Sequence, residues 1–466
     1  MSRSWNDRVL VAVLLARFVR ARWGYRFRSR ERFDAWHGRR LARFLRRLRA
    51  VPYYASDVRP AGVDGSEASR TARVELSDLP IVDKGVLLEH FDGLNTRGVR
   101  LVDALGVALE AERTRDFAPL VAGDLTVGLS SGTSGRRGAF LVSPRERMLW
   151  AGTVLARVLD RRSVGQLLRP WAPPVRIAFF LRAGGNLYES VASSRIRFSF
   201  HDLTEPFDSH LAALDAGAAA GAGPHVLVAP ASVLAALADR AREGRLRIRP
   251  RLVISVAEVL EPEVAERIRR AWGRAPRQVY QATEGLLALT CEHGSLHLNE
   301  ESVRVEREWL DAERTRFTPI VTDFDRRTQI IARYRLDDVL RVDPAAPRCP
   351  CGRVTTVLAG VDGRADAVLR LPHASGLREV ELFPDVVRQA MAVASEAYAD
   401  WRIRQRGLDL HVSLAEPAPG AEVRVRELLE RLLRSHGGRV DVVFDAWEPA
   451  DPTVKARRIV REPASA

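Results

Sequence analysis

Apolar residues near the start of the chain fall at helical spacing. The run 9–15 (VLVAVLL) is cut short by Arg17 and Arg20, well under the length needed to cross a bilayer. No small-x-small cleavage site follows, so the run predicts an amphipathic helix and not a secretory leader. In RFRSRERFDAWHGRRLARFLRRLRA (26–50), Phe33, Trp36, Leu41, Phe44 and Leu45 share one face. That predicts a second helix with its arginines in solvent. After VPYY (51–54) comes a polar stretch to Arg70. The segment ELSDLPIVDKGVLLEHFDGLN then reads as a turn and a helix, with Asp83 at the N-cap and Lys84 in the first turn.

From about Thr126 to Leu369 short apolar runs alternate with helical patterns. RIAFFL (176–181) is one such run. HVLVAP precedes the helical ASVLAALADRAREG, and RLVISVA precedes EPEVAERIRRAWG. Such alternation predicts an α/β sheet flanked by helices. DAGAAAGAGP (215–224) reads as a helix end and loop, and no solenoid-length repeat occurs. Near Asp366 the order becomes strand, helix (381–395), strand (407–414), helix (421–436), strand (439–444), a small α+β unit. The expected fold is α/β: a large multi-layer N-terminal domain over 1–362 and a small α+β C-terminal domain over 367–466. The boundary falls at the VDGRAD turn.

Composition narrows the function classes. At 466 residues, 46% hydrophobic and 28% charged, the chain buries a large core. Three cysteines make no disulfide framework, which suits a reducing cytoplasm. A net charge of +14 would suit nucleic acid or an anionic membrane surface. No zinc-finger, helix-turn-helix or RNA-recognition signature accompanies it, so nucleic acid is not the expected partner; weak membrane-surface association through the N-terminal arginines stays open. Of the 73 basic residues only Lys84 and Lys455 are lysine. A compact ammonium on a flexible stem reaches a single oxygen where a planar guanidinium does not.

Candidate chemistry concentrates in LTVGLSSGTSGRRGAFLVSPRE (125–146). Ser130, Ser131, Gly132, Thr133, Ser134 and Gly135 form a hydroxyl- and glycine-rich loop between two apolar strands, followed by Arg136 and Arg137. Such a loop brings backbone N–H groups close to an anion. The Walker spacing and its terminal Lys-Ser/Thr are missing. Taken alone, the same residues also make an ordinary turn.

SSGTSGRRG resembles the phosphate loop of adenylate-forming enzymes, the superfamily of acyl-CoA ligases and adenylation domains. Further matches follow in that family's order: VYQATEG (279–285), ARYRLDDVLR (332–341), VDGRAD (361–366) and PTVKARRIV (452–460). LPIVDK, RYR and CPCGR resemble the phenylacetate–CoA ligase and deazaflavin-adenylating branch in particular. The resemblance implies an enzyme using ATP and Mg²⁺ to turn a carboxylic acid, aromatic in the branch's manner, into an acyl-adenylate. Coenzyme A is the implied acceptor. An acyl-carrier protein, an amine or a cofactor hydroxyl is the alternative, and a catalytically silent module that binds anionic surfaces is a second one.

Carried over residue by residue, Tyr280 and the backbone at Glu258 border adenine, and Thr283 bonds the α-phosphate. Glu284 holds Mg²⁺, Asp338 the ribose hydroxyls, and Arg364 ribose or phosphate. Asp366 is the hinge of a mobile C-terminal domain, and Lys455 the ammonium that stabilises adenylation. The sequence departs from the pattern in two places. Asp337 competes with Asp338, and Val454 precedes the lysine where glycine is usual. Residues 179–190 and SVAEVL are the expected acid pocket.

The cysteines fall in two clusters, CEH (Cys291, His293) and CPC (Cys349, Cys351), with His297 a rival imidazole. Three thiolates and one imidazole fill a tetrahedral structural zinc site. The alternative is a set of inert buried thiols.

Overall fold

The protein is described from a computed structural model covering residues 5–55, 75–114, 116–129, 138–181, 193–203, 205–364, 367–376, 379–448 and 458–462. It divides into two compact units. The first comprises Met1–Glu308, Ile320–Leu336 and Asp343–Ala359. The second is Trp309–Pro319, Asp337–Val342 and Gly360–Ala466, so it takes two stretches that precede residue 362.

The first unit opens with α1 (Trp5–Val19) and α2 (Arg30–Leu48), the latter capped by the Ser29 hydroxyl. The apolar face of α2 buries Phe33, Phe44, Leu45 and Leu48 as its spacing predicts. Its arginines are not simply solvated. Arg30 pairs with Glu300, and Arg40 pairs with Asp325. From α1, the buried Arg17 bonds Thr153, Tyr25, Ser302 and Asp325.

Next come α3 (Lys84–Glu89) and α4 (Leu101–Thr114), then the hairpin β1 (Thr126–Leu129) and β2 (Ala139–Val142). α5 (Pro144–Val158) follows β2 directly, started by a Ser143/Glu146 capping box and a proline in its first turn. α6 (Arg161–Leu168) leads into the alternating region: β3 (Val175–Leu181), β4 (Ile196–Asp202), α7 (Phe207–Ala219), β5 (Val226–Pro230), α8 (Ala231–Arg242), β6 (Leu252–Val256), α9 (Pro262–Trp272) and β7 (Arg277–Ala282). β8 (Gly285–Thr290) and β9 (Leu296–Leu298) return antiparallel. Beyond them in the chain lie β10 (Val303–Trp309), β11 (Arg316–Asp323), β12 (Tyr334–Arg335), β13 (Asp338–Arg341) and β14 (Val357–Leu358), of which β13, the last residue of β10 and the first half of β11 fall in the second unit.

The main sheet has the order β14-β9-β8-β7-β6-β5-β3-β4. Its β7-to-β4 side is parallel. The central strands β3, β5 and β6 are apolar almost throughout because both faces are covered. On one face Ala178, Phe180, Leu227, Ala229 and Val253 pack with residues of α8 and α9. On the other, Ile177, Phe179, Val226, Val228 and Ile254 face Leu155 and Val158 of α5.

α1 lies across the back of α5, and their closest approach is at Gly152. A Cβ there would sit 2.7 Å from the Leu14 carbonyl oxygen and 2.9 Å from Arg17 Cβ. The crossing therefore needs a residue without a side chain.

The second unit contains β15 (Gly360–Arg364), β16 (Leu369–Pro372), β17 (Glu379–Leu382), α10 (Pro384–Ala392), β18 (Asp400–Arg406), β19 (Asp409–Ala415), α11 (Ala421–Ser435), β20 (Val442–Asp445) and β21 (Ile459–Arg461). The sheet β20-β19-β18-β21 buries Trp401, Ile403, Val412 and Leu414 against Val425, Leu429 and Leu433 of α11. The helix expected from Glu381 begins at Pro384. Glu379–Leu382 instead pairs with β16, because its alternating apolar residues give a strand one buried face.

Gly152→Ala should separate α1 from α5 and cost about 1–3 kcal/mol in chemical denaturation, the usual cost of overpacking a tight contact. An unchanged midpoint would mean that the helices do not cross there.

Candidate active site

The Thr-Glu motif forms the tip of the β7–β8 hairpin. Ala282 pairs with Gly285, leaving Thr283 and Glu284 as the two turn residues, with Glu284 buried. Thr283 lies against β1: a Cβ on Gly128 would be 3.7 Å from its methyl group. β1 and β2 pair up to Leu129 and Ala139, so the stem of the serine–glycine loop stands beside the turn. Ser130, Ser131, Gly132, Thr133, Ser134 and Gly135 lie outside the described residues, as do Asp366 and Lys455.

An internal brace fixes this corner. Glu146 accepts the N–H of Ser143 at 2.8 Å, of Arg327 at 2.6 Å and of Thr328 at 2.9 Å. The Arg326 guanidinium donates to the carbonyls of Leu141 on β2 and Thr283 in the turn. Burial alone would raise the pKa of Glu146, but Arg326 and the backbone N–H groups outweigh it, and the carboxyl stays below its ordinary range. Neither residue stands out in the sequence. The only signal is the Ser143-x-x-Glu146 box, which reads as an ordinary helix start.

A cavity of about 420 Å³ opens beside the turn, between α5 and the parallel strands. Thr283, Gln281, Gly128, Trp150, Phe179 and Ala257 are on its wall. Trp150 Nε1 donates to Gln281 Oε1 at 2.8 Å, joining α5 to β7. Of the expected acid pocket, Phe179, Leu181, Val256 and Ala257 line the cavity; 182–190 lies outside the described residues. Ala257 holds φ +64°, a left-handed conformation that costs energy outside glycine and re-aims the chain as β6 ends. The next residue, Glu258, accepts from the Ser232 N–H at 2.8 Å and hydroxyl at 3.1 Å, so its side chain caps α8. Tyr280 lies between the wall residues Val279 and Gln281, and packs on the other side against the core that contains Leu287 and Phe324.

Asp323 and Asp325 sit at the cavity's polar flank. Burial raises Asp323 to about 7, reinforced by the nearby Asp325 charge. Arg17 and Arg40 overcome burial at Asp325 and hold it low. The two carboxyls titrate as one coupled pair.

In the second unit, Asp338 on β13 stands opposite Arg364 on β15. The Arg364 guanidinium bonds Asp337 at 2.8 Å, so Arg364 stands opposite one of the competing aspartates and hydrogen-bonds the other. The VDGRAD segment contributes a further anchor that sequence reading missed. Asp362 is buried, and its carboxylate takes Arg316 at 3.2 Å and Arg341 at 3.1 Å. Gly363 follows at φ +117°, a conformation open to glycine.

Cys291, His297, Cys349 and Cys351 are all buried, and one ligand atom from each lies within 4.8 Å of the others. The imidazole of the group is His297, not His293. The tight turn after Cys291 uses the His293 N–H on the Cys291 sulfur at 3.4 Å, while β9 carries His297 Nε2 to 3.3 Å from Cys351 Sγ. His297 Nδ1 lies 3.3 Å from the Thr355 carbonyl oxygen, which orients the ring with Nε2 toward the sulfurs. The donor set, three thiols and an imidazole, matches a closed tetrahedral site.

No protein-family model matches the sequence, and no curated protein does. Solved structures do match. Two crystal structures of 2-hydroxyisobutyryl-CoA ligase in the postadenylation state, in complex with R3-HIB-AMP and with 2-HIB-AMP, superpose with a TM-score of 0.56. Each is 18% identical to this chain, over 99% of it and 90% of the ligase. The fold is that of a coenzyme A ligase. The likeness covers nearly all of this chain, in keeping with the α/β class expected from the strand–helix alternation.

Asp323→Asn should separate the two carboxyls. Folding raises the Asp323 pKa, so the native state binds more protons than the unfolded chain between about pH 4 and 7, and stability falls as pH rises through that window. The neutral amide removes this loss. Its melting temperature relative to wild type should therefore be more favourable near pH 8 than near pH 5. An offset independent of pH would mean that Asp323 ionises normally.

Proposed function

We propose that the protein uses ATP to activate a carboxylic acid as its acyl-adenylate and then passes the acyl group to a thiol, coenzyme A being the natural acceptor. The observation that carries this is the braced Thr283–Glu284 turn, set at the mouth of the cavity and beside the stem of the serine–glycine loop. The fold likeness to a ligase captured with acyl-AMP ligands supports the same reading.

In the first step a carboxylate oxygen of the acid attacks the α-phosphorus of ATP. The bond to the bridging oxygen breaks, and pyrophosphate leaves with the electron pair. Thr283 donates its hydroxyl to an α-phosphate oxygen. Glu284 supplies the carboxylate for Mg²⁺, which when bound neutralises phosphate charge. Asp338 accepts the ribose hydroxyls while Arg364 is steadied by Asp337. Lys455, on the C-terminal domain, stabilises the charge that develops on the reacting phosphate. In the second step the thiol sulfur attacks the acyl carbon, and AMP departs with its phosphate oxygen. The phenylacetate–CoA ligase branch is the proposed lineage, on LPIVDK, RYR and CPCGR.

The thiol–imidazole group is proposed to hold a structural zinc ion. All four positions are protein ligands, which leaves no open coordination site for chemistry. Its work is mechanical: it ties the β8–β9 hairpin to the loop before β14.

Acid-dependent ATP–pyrophosphate exchange tests the activity. Lys455→Ala should lower the exchange rate by about 100- to 1,000-fold with ATP affinity little changed, and undiminished exchange removes Lys455 from the mechanism. Metal analysis of the purified protein should find about one zinc per chain, lost in Cys351→Ser together with thermal stability. A metal-free protein whose melting point ignores that substitution would make the cysteines inert.

A further inference from the structure

The shape of the cavity carries more than its presence. Its wall takes alternate residues of the parallel strands, the same face each time: Ile177, Phe179 and Leu181 along β3, with Val226 and Val228 beside them on β5. Both ends of the strands are therefore represented. The span from Ile177 to Leu181 is four residue steps, roughly 13 Å at strand rise. The opposite wall is α5, which runs against the strands. Its early residues Arg147 and Trp150 lie toward the Thr283 turn, and Val158 lies at the far end, where Arg277 at the start of β7 bonds the Val158 carbonyl. The cavity is thus a channel along the strand direction and not a shallow bowl.

The channel's deep end is hydrocarbon. Val158, Leu159, Ile177 and Val226 close it, at 3%, 2%, 6% and 1% exposure. The polar lining residues occupy the flank nearer the turn and α1. Three of them are held within the fold: Arg17 by Thr153 and Asp325, Glu146 by backbone N–H groups, and Arg326 by two carbonyls. The guanidinium groups that reach these closing residues bond their backbone and not their side chains: Arg277 takes the Val158 carbonyl and Arg22 the Leu159 carbonyl. A ligand that reaches this end meets it with an extended apolar tail.

We infer that the substrate is an open-chain aliphatic carboxylic acid of medium to long chain, with its carboxylate at the Thr283 turn and its tail along β3 and β5 to the Ile177 end. The inference rests on the adenylation reading for the fate of the carboxylate, and on the channel alone for the tail. A compact aromatic acid would fill the upper part and leave the dry end empty, forfeiting the contacts there. Each methylene laid against the wall is worth roughly fourfold in affinity. Specificity should climb with chain length until the tail meets Val226, then fall.

Two measurements separate the tail from the chemistry. Pyrophosphate exchange is run with acetate, butyrate, hexanoate, decanoate, hexadecanoate, benzoate and phenylacetate. Direct binding of decanoate and phenylacetate is measured by calorimetry without ATP. The expected result is a kcat/KM for decanoate on the order of 1,000-fold above butyrate, with decanoate also bound in the absence of ATP. Val226→Phe, which raises the floor, should move the optimum to shorter acids. Decanoate bound but never exchanged would sustain the channel and overturn the adenylation reading. Phenylacetate or acetate exchanged briskly, with decanoate neither bound nor used, would overturn the inference and leave adenylation standing. If Val226→Phe does not fold, the wild-type chain-length series decides alone.

Discussion

The buried carboxylate of Glu146 and the guanidinium of Arg326 hold the functional corner together. Placing two charges in the interior costs several kcal/mol each unless hydrogen bonds replace the lost water. Here the replacement is nearly complete. Glu146 takes the Ser143 N–H and hydroxyl and the Arg327 and Thr328 N–H groups, and it sits at the positive end of α5. Arg326 spends its donors on two carbonyls. Three stretches distant in sequence thereby meet at one point: the β2–α5 junction, the β7–β8 turn and the loop after β11. The turn that bears Thr283 and Glu284 gets its position from that meeting, since a two-residue hairpin tip has few contacts of its own.

Some of this was legible in the sequence. The parallel strands declare themselves because burial on both faces demands unbroken apolar runs, as in HVLVAP and RLVISVA. The helix start at Asp83 is equally plain, since capping is local chemistry. The brace was not legible. Arg326 sits in a chain that writes arginine nearly everywhere, and its partners are backbone carbonyls that carry no sequence signal. β18 was hidden for a related reason. In DWRIRQR every second residue is charged, so the arginines mask the buried alternation of Trp401, Ile403 and Gln405. His293 was favoured over His297 by closeness to Cys291 in sequence. In a hairpin, the residue that returns on the next strand is often nearer than the one two places on.

The basic N-terminus shows how charge composition misleads. Arg17, Arg30 and Arg40 are matched to Asp325 and Glu300 inside the fold, and Arg157 and Arg353 share the buried Glu301. A guanidinium, with its planar fork of donors, can satisfy several acceptors at once, which makes arginine the usable cation for an interior. Part of the positive excess is therefore structural mortar, and net charge alone says little about what the surface binds.

The cavity raises a mechanical question, because unfilled apolar volume is costly and a helix over a sheet would ordinarily settle to close it. α5 cannot settle. Its first turn is fixed by the Glu146 bonds, its middle by the Trp150–Gln281 bond, and its last carbonyl by Arg277. On its outer side α1 is seated at Gly152 and tied through Arg17 to Thr153. The helix is held like a beam over the sheet, at a height set by polar contacts along its length and not by the apolar side chains beneath it. A protein that spends buried hydrogen bonds to keep such a space open gains from what enters it, and the strands beneath set both the direction and the length of that guest.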